Sequence, residues 1–429
     1  MRARAGVDLE LLRRAAASDV VRKTAETLGA RVVLIGVGLA TTVIVARVLG
    51  PEGRGDFAIA TSVAAFGVQF GNAGLHASNS FCVARDRGLL ATLLGNTLVA
   101  SLAIGGGIAA AALAVFHLLP GLAPLHGPLL PLALAGVPVG LGYLLLQNLL
   151  LGIQDVRAYN VIEVFNRVLS IALVAVLIAG RRVTVEAVYL AGFAALAASL
   201  LWALRRLRAA TAAPLAVSMR LFRENIGYGF KAYLAALFAF AVLRIDMLMV
   251  NHQLGAAAAG YYSVAVSMAD LVYLIPATVG TIVFPKLAAM GSDAERWTWT
   301  QKYALVLGAV LVAVVAVAIP LASPLIGLLY GEAFLPAAPA FTPLGVGMVF
   351  YGVNSLFSYC LAAMSFPWFA VQVWVAAAAL NVLLNALLLP ALGIVGASVA
   401  SLICYFLLMV AQYAYLAGKA RAFARGAAA

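Results

Sequence analysis

The chain has 429 residues, 65% hydrophobic and only 10% charged, against roughly 45–50% and roughly 25% in ordinary globular domains. A mean hydropathy of +1.04 leaves too little polar surface to cover a soluble core. This excludes a soluble enzyme, a disordered chain and, despite a net charge of +12, a nucleic-acid binder.

The first segment, 1–27, mixes Arg2, Arg4, Arg13, Arg14, Arg22 and Lys23 with Asp8, Glu10, Asp19 and Glu26. It lacks the apolar stretch of a cleavable signal peptide and is expected to be an amphipathic cytoplasmic helix on the inner leaflet. A span needs about 20 apolar residues. Twelve segments qualify, near 28–48, 57–82, 88–116, 128–151, 159–179, 184–204, 228–251, 256–284, 300–323, 336–364, 367–389 and 394–417. The fold class is therefore an all-α, polytopic membrane protein with twelve transmembrane helices. Expected domains are an N-lobe over 28–204, a cytoplasmic linker over 205–227 with a short interfacial helix at Met219–Ile226, a C-lobe over 228–417, and a basic tail over 418–429.

Lys and Arg concentrate on the cytoplasmic side of membranes. With the N-terminus inside, cytoplasmic segments hold twenty of them and outside segments three, namely Arg54, Arg181 and Arg182. Both termini are thus expected in the cytoplasm. Leu49-Gly50-x4-Gly55 recurs as Leu254-Gly255-x4-Gly260 at an offset of 205 residues. Each copy follows an odd-numbered span, and each half holds six spans. The two six-helix pseudo-repeats are therefore parallel, the arrangement of halves that rock in alternating access.

No catalytic motif is present: the sequence has no P-loop, G-x-S-x-G or H-E-x-x-H, so no enzyme, metal or cofactor is expected. Cys82, Cys360 and Cys404 make no C-x-x-C pair and are expected to pack in apolar surroundings. The informative residues are charges inside spans, because such groups are costly in hydrocarbon and face the protein or a wet cavity. They are Arg31, Glu163, Arg167, Lys231, Arg244, Asp246 and Asp270, with Arg47 at a span end. Arg31, Arg47 and Lys231 lie near span ends, where snorkelling accounts for them equally well. Glu163 and Arg167 are spaced i, i+4 and can neutralise each other. Arg244 lies 13 residues beyond Lys231, about 20 Å along a helix, too deep to reach the cytoplasm. Asp246 points away from it on the same helix. Asp270 is either a partner for Arg244 or a protonation or cation site.

The basic surplus among these residues suits an anionic substrate, phosphate above all. Gln69, Asn72, His76 and Asn79 fall at spacings of 3, 4 and 3 in span two. On a continuous helix they form one polar face, either a hydrated path for sugar hydroxyls or hydrogen-bonding glue between helices. Asn381 and Asn385, at i, i+4, suit glue.

Four further pieces carry a resemblance. Ala46-Arg47-Val48-Leu49-Gly50-Pro51-Glu52-Gly53-Arg54-Gly55 resembles the turn after the first span of bacterial O-antigen-type polysaccharide flippases. Ile245-Asp246-Met247-Leu248-Met249, with Leu254-Gly255 and Gly260-Tyr261-Tyr262, is similar to their seventh-span pattern. Phe284-Pro285-Lys286 resembles the end of their span eight. Asn381-x3-Asn385, then Pro390-x2-Gly393-Ile394-x-Gly396-Ala397-Ser398, resembles their pattern around spans eleven and twelve. The resemblance covers nearly the whole chain in order and points to the MOP exporter superfamily. It implies a V-shaped, MATE-like bundle in a bacterial inner membrane. The implied activity is translocation of an undecaprenyl-diphosphate-linked glycan to the outer leaflet by alternating access through a cationic central cavity. Arg31, Arg167, Lys231 and Arg244 are the candidates to hold the diphosphate, and Gln69, Asn72, His76 and Asn79 to pass sugars. Asp246, Asp270 and Glu163 are the candidates for coupling to a proton or sodium ion, or for gating. Glycan-assembly enzymes are candidate partners. Alternatives left open are a multidrug or small-solute antiporter of the same superfamily, a lipid II flippase, and a membrane scaffold for glycan assembly.

Overall fold

A computed structural model describes the backbone of residues 5–364 and 366–426, and side chains except those of 5–32, Tyr228 and 422–426. All described regular structure is helical. Among the described residues, thirteen α-helices follow in chain order. They are α1 (Ala5–Asn72), α2 (Leu75–Arg85), α3 (Leu90–Ala100), α4 (Gly106–Leu118), α5 (Leu129–Gly152), α6 (Val156–Ala179), α7 (Val185–Ala209), α8 (Met219–Leu254), α9 (Ala256–Ala289), α10 (Asp293–Tyr330), α11 (Ala338–Ala363), α12 (Trp368–Leu392) and α13 (Ile394–Gly426). Among the described residues, eleven helices are long and apolar enough to cross a membrane. The first, Val33–Asn72, is two arms: Gly50 leaves helical geometry at φ 67, ψ −178. Divided there, this helix supplies the first two of the twelve expected spans, the second ending at Asn72 and not near residue 82.

The break is written in local chemistry. Gly50 takes a left-handed φ that costs glycine nothing, and Pro51 opens the next helix, where its missing N–H and fixed φ fit the first turn. Gly255 repeats the conformation at φ 84, ψ 176 as the N-cap of α9. The 205-residue repeat is thus a repeated turn. Elsewhere Asp155 caps α6 by accepting from Ala158 N–H at 3.1 Å, and Thr184 caps α7 through Ala187 N–H at 3.2 Å, each satisfying a donor with no partner inside the helix.

Two compact units divide the chain. The first comprises residues 1–42, 74–111 and 135–228. Its core is a leucine cluster from α3 (Leu90, Leu93, Leu94) and α5 (Leu146, Leu149, Leu150), closed by Ile162, Ala203 and Leu207. The i, i+3, i+4 spacing puts each triplet on one stripe of its helix. The segment between α7 and α8 is tied into this unit. Asn96 Nδ2 donates to Ser218 O at 3.0 Å, Ser218 N–H returns to Asn96 Oδ1 at 2.9 Å, and Asn225 Nδ2 donates to Asn79 Oδ1 at 2.9 Å. Met219–Ile226, expected as a separate interfacial helix, is instead the opening of α8, which continues through Gly227 and Gly229, with no proline to end it.

The second unit comprises residues 43–73, 112–134 and 229–429. The second arm of α1 crosses α9 here at its closest point. A methyl on Gly55 would overlap the Ala256 carbonyl, and a methyl on Gly260 would overlap the Pro51 carbonyl. These are the repeat-related glycines. Small residues let helices approach closely in a membrane, where packing rather than water drives association. Arg54, expected in an outside loop, lies buried at this crossing and donates to Ser263 Oγ at 3.1 Å. Its position follows from the helix starting at Pro51. Tyr262, Phe334, Phe341 and Tyr405 fill the interior. By contrast α10 exposes Leu305, Val306, Val317 and Leu328, an apolar face suited to hydrocarbon.

Candidate functional site

Arg244 and Asp246 of α8 and Asp270 of α9 are deep charges of the second unit, with Ser401 of α13 beside them. Arg244 of α8 donates from a terminal guanidinium nitrogen to Asp270 Oδ2 of α9 at 2.9 Å. Their side chains stay 33% and 42% exposed, so the pair is not sealed in a core. Of the two readings open for Asp270, the geometry realises the ion pair. Two residues on, Asp246 is only 2% exposed. It accepts from Met247 N–H at 2.8 Å, from Ser401 Oγ of α13 at 3.3 Å and from the Tyr262 hydroxyl of α9. Three helices are thus fastened at one carboxylate. A buried charge persists only with such partners.

Tyr262 and Ser401 were not singled out by charge or by polar spacing. The signal for Tyr262 was its place after the second repeat glycine, Gly260. α12 carries Asn381 and Asn385, both fully buried, with Asn385 Nδ2 donating to Asn381 O at 2.8 Å. That bond lies within α12, and Asn381 Nδ2 and Asn385 Oδ1 find no hydrogen-bond partner among the described residues, so the bonds expected to tie neighbouring helices are not formed at these atoms.

Two basic residues near span ends have defined partners in the same unit. Arg47 donates to the Leu329 carbonyl at 2.7 Å and the Leu328 carbonyl at 2.5 Å. It closes the C-terminal end of α10, whose last carbonyls lack helical partners and carry negative dipole charge. Lys231 places its ammonium 5.2 Å from the Trp368 ring centre, a cation–π contact.

In the first unit Glu163 accepts from the Tyr143 hydroxyl at 2.8 Å, and Gln147 Nε2 donates to that hydroxyl at 2.6 Å. Arg167 lies at 3.8 Å from Glu163, with 55% and 25% side-chain exposure. The expected i, i+4 pair is present, but a tyrosine from α5 holds the carboxylate more closely.

The polar face expected along span two does not exist as one face. Ala73 and Gly74 take φ 45 and φ 83, so the helix ends at Asn72 and restarts at Leu75. Gln69 and Asn72 fall in the second unit, His76 and Asn79 in the first. Asn79 is buried and engages both amide atoms, donating to Thr97 Oγ1 at 3.2 Å and accepting from Asn225. Asn72 is buried, while Gln69 and His76 are half-buried. Arg31 lies outside the residues whose side chains are described.

Comparison with known proteins places this architecture. The profile of the polysaccharide biosynthesis protein family matches residues 44–339. An uncharacterized membrane protein of Methanocaldococcus jannaschii is 26% identical over 209 residues, 46% of this chain and 40% of that protein. The match thus takes in less than half the length of that curated relative. Among solved structures, an inward-facing multidrug resistance MATE family transporter of the MOP superfamily superposes with a TM-score of 0.78 at 16% identity, over 91% of this chain and 95% of that one. The lipid II flippase MurJ in an inward closed conformation superposes with a TM-score of 0.72 at 15% identity, over 91% and 86%. At such identities the likeness is one of fold. The chain belongs to the polysaccharide biosynthesis protein family and carries a MATE-like fold.

Proposed function

We propose that the chain is a flippase that moves an undecaprenyl-diphosphate-linked oligosaccharide from the inner to the outer leaflet by alternating access. The supporting observation is membership of a polysaccharide biosynthesis family by a chain whose fold is that of membrane transporters. The cell membrane with both termini cytoplasmic is its proposed setting, on the basic-residue asymmetry. Arg244 is the leading diphosphate contact, because its partner Asp270 leaves the guanidinium partly exposed and with donors to spare. Lys231, Arg167 and Arg31 complete the cationic set. Gln69 and His76 are the better-placed contacts for sugar hydroxyls; Asn72 is buried and Asn79 ties the linker. Asp246 and Asp270, with Glu163, are the coupling or gating acids, responsive to a proton or a sodium ion. Glycan-assembly enzymes would deliver the substrate.

The test is deletion of the gene in its host, with undecaprenyl-linked glycans assayed on each membrane face. Finished lipid-linked repeat units should accumulate on the cytoplasmic face while surface polysaccharide is lost. Normal surface glycan without accumulation, in a host shown to have no second flippase, would remove the reading and favour a drug or solute antiporter.

A further inference from the structure

The second unit contains a groove of about 250 Å³ between α8, α11, α12 and α13. Its floor is Ala232, Ala235, Ala236 and Ala239 of α8, at spacings of 3, 1 and 3, one stripe of the helix. Its walls include the Tyr359 and Trp374 rings. Ala232 and Ala236 are exposed, so the groove is open along one side. Its few polar groups are Ser358, which donates to Gln412 Oε1 at 3.1 Å, the Tyr359 hydroxyl, and Gln412 Nε2, a buried donor with no acceptor in the protein.

Position fixes the environment. Lys231 precedes the alanine stripe on α8, and Trp368 opens α12 with 58% of its surface exposed. Trp and Lys together mark the headgroup level of a bilayer. The stripe therefore runs about 12 Å from Lys231 into the hydrocarbon layer, at the end of the spans that the basic residues assign to the cytoplasm. Phe366, which lines the groove beside Trp368, is held at φ 51. A bulky residue rarely adopts that conformation without a local reason.

We infer that this groove seats the polyisoprenyl chain of an anionic, diphosphate-bearing lipid as it enters from the cytoplasmic side, with the diphosphate first at Lys231 and Arg244 the deeper contact. Most of the lining is apolar, and within a bilayer a hydrocarbon chain fills such a slot. Charge complementarity selects the lipid: Lys231, one residue before the stripe, sets an ammonium over the Trp368 ring that favours phosphate oxygens, and no carboxylate lines the slot. Alanine methyls leave width for a methyl-branched chain. The inference rests on the flippase reading and deepens it by assigning a place to the substrate's hydrocarbon portion.

The experiment uses the purified full chain in nanodiscs and undecaprenyl diphosphate carrying a diazirine on its chain. After irradiation, labels should map to 232–239 and 370–374. Excess unlabelled undecaprenyl diphosphate should displace them and phosphatidylglycerol should not. Ala236→Phe, at an exposed position, should abolish groove labelling without loss of folded protein. Lys231→Ala should weaken labelling, and Lys231→Arg should restore it. Equal displacement by phosphatidylglycerol would overturn the inference in favour of an ordinary bilayer lipid, and labels mapping elsewhere would overturn it too. With no groove labelling but normal surface glycan in Ala236→Phe cells and none in deletion cells, the flippase reading stands and only the groove assignment fails. Normal glycan in deletion cells removes both.

Discussion

The two compact units hold their polar residues in different ways. In the first, Glu163, Tyr143 and Gln147 form a short chain between α5 and α6, and Arg167 stands loosely beside it at 3.8 Å. In the second, Asp246 fastens α8, α9 and α13 together, and a glycine crossing brings α1 against α9 with no room for a methyl. The core of the first unit rests on leucine contacts, although a methyl on Gly95 would overlap the Ala216 carbonyl there too; the second adds a buried carboxylate that joins three helices. Side-chain packing relaxes when one residue changes, whereas backbone against backbone does not.

The largest effect should come from the crossing. Gly260→Ala or Gly55→Ala sets a methyl onto a backbone carbonyl, and no rotamer relieves it. Folded protein should be nearly lost, read as monodisperse yield in size-exclusion chromatography. Leu149→Ala in the first unit should cost about 2–5 kcal/mol and leave a folded peak with a lower Tm. Equal tolerance of both changes would break the comparison. Next, Arg244→Ala should abolish surface glycan while the protein still reaches the membrane. Its partner Asp270 is 42% exposed and is not stranded in a dry core. Loss of the folded protein would make Arg244 structural, and normal export would remove it from the mechanism. Asp246→Ala should follow, since it leaves the Tyr262 hydroxyl buried without its acceptor, a penalty of about 1–3 kcal/mol. Asp246→Asn keeps an acceptor oxygen and should lose less, measured as thermal shift in detergent.

Much of this was legible in the sequence, and the failures have physical causes. The spans follow from hydrophobic length alone, and the paired Gly50 and Gly255 turns from a repeated motif. The pairing of Arg244 with Asp270 was one of two open readings, and it needed α8 and α9 adjacent. The broken polar face was illegible because periodicity assumes an uninterrupted helix. Ala73 sits at φ 45, a conformation its residue type disfavours and its neighbours do not announce. Arg54 was misplaced because Gly50 and Pro51 were expected to extend into a loop, whereas the proline starts a helix at once. Snorkelling accounted for Arg47 as well as a cavity did, and glue for Asn79 as well as a sugar path. Their partners, the carbonyls ending α10 and Asn225, lie 282 and 146 residues away in sequence, beyond any local pattern.

The smallest effect should be at Arg167, where the comparison is most sensitive. At 3.8 Å from Glu163 and 55% exposed, Arg167 makes a pair of the kind worth about 0.2–0.5 kcal/mol on an isolated helix. Glu163 keeps its Tyr143 hydrogen bond without it. Arg167→Ala should therefore leave thermal stability within error of the parent, while Tyr143→Phe, which removes the closer partner, should lower it measurably. If Arg167→Ala then reduces surface glycan at unchanged stability, the guanidinium contributes to substrate and not to the fold. If stability falls with Arg167 and not with Tyr143, the ion pair is the stronger tie, and the contrast between a loosely and a tightly held charge in the two units is lost.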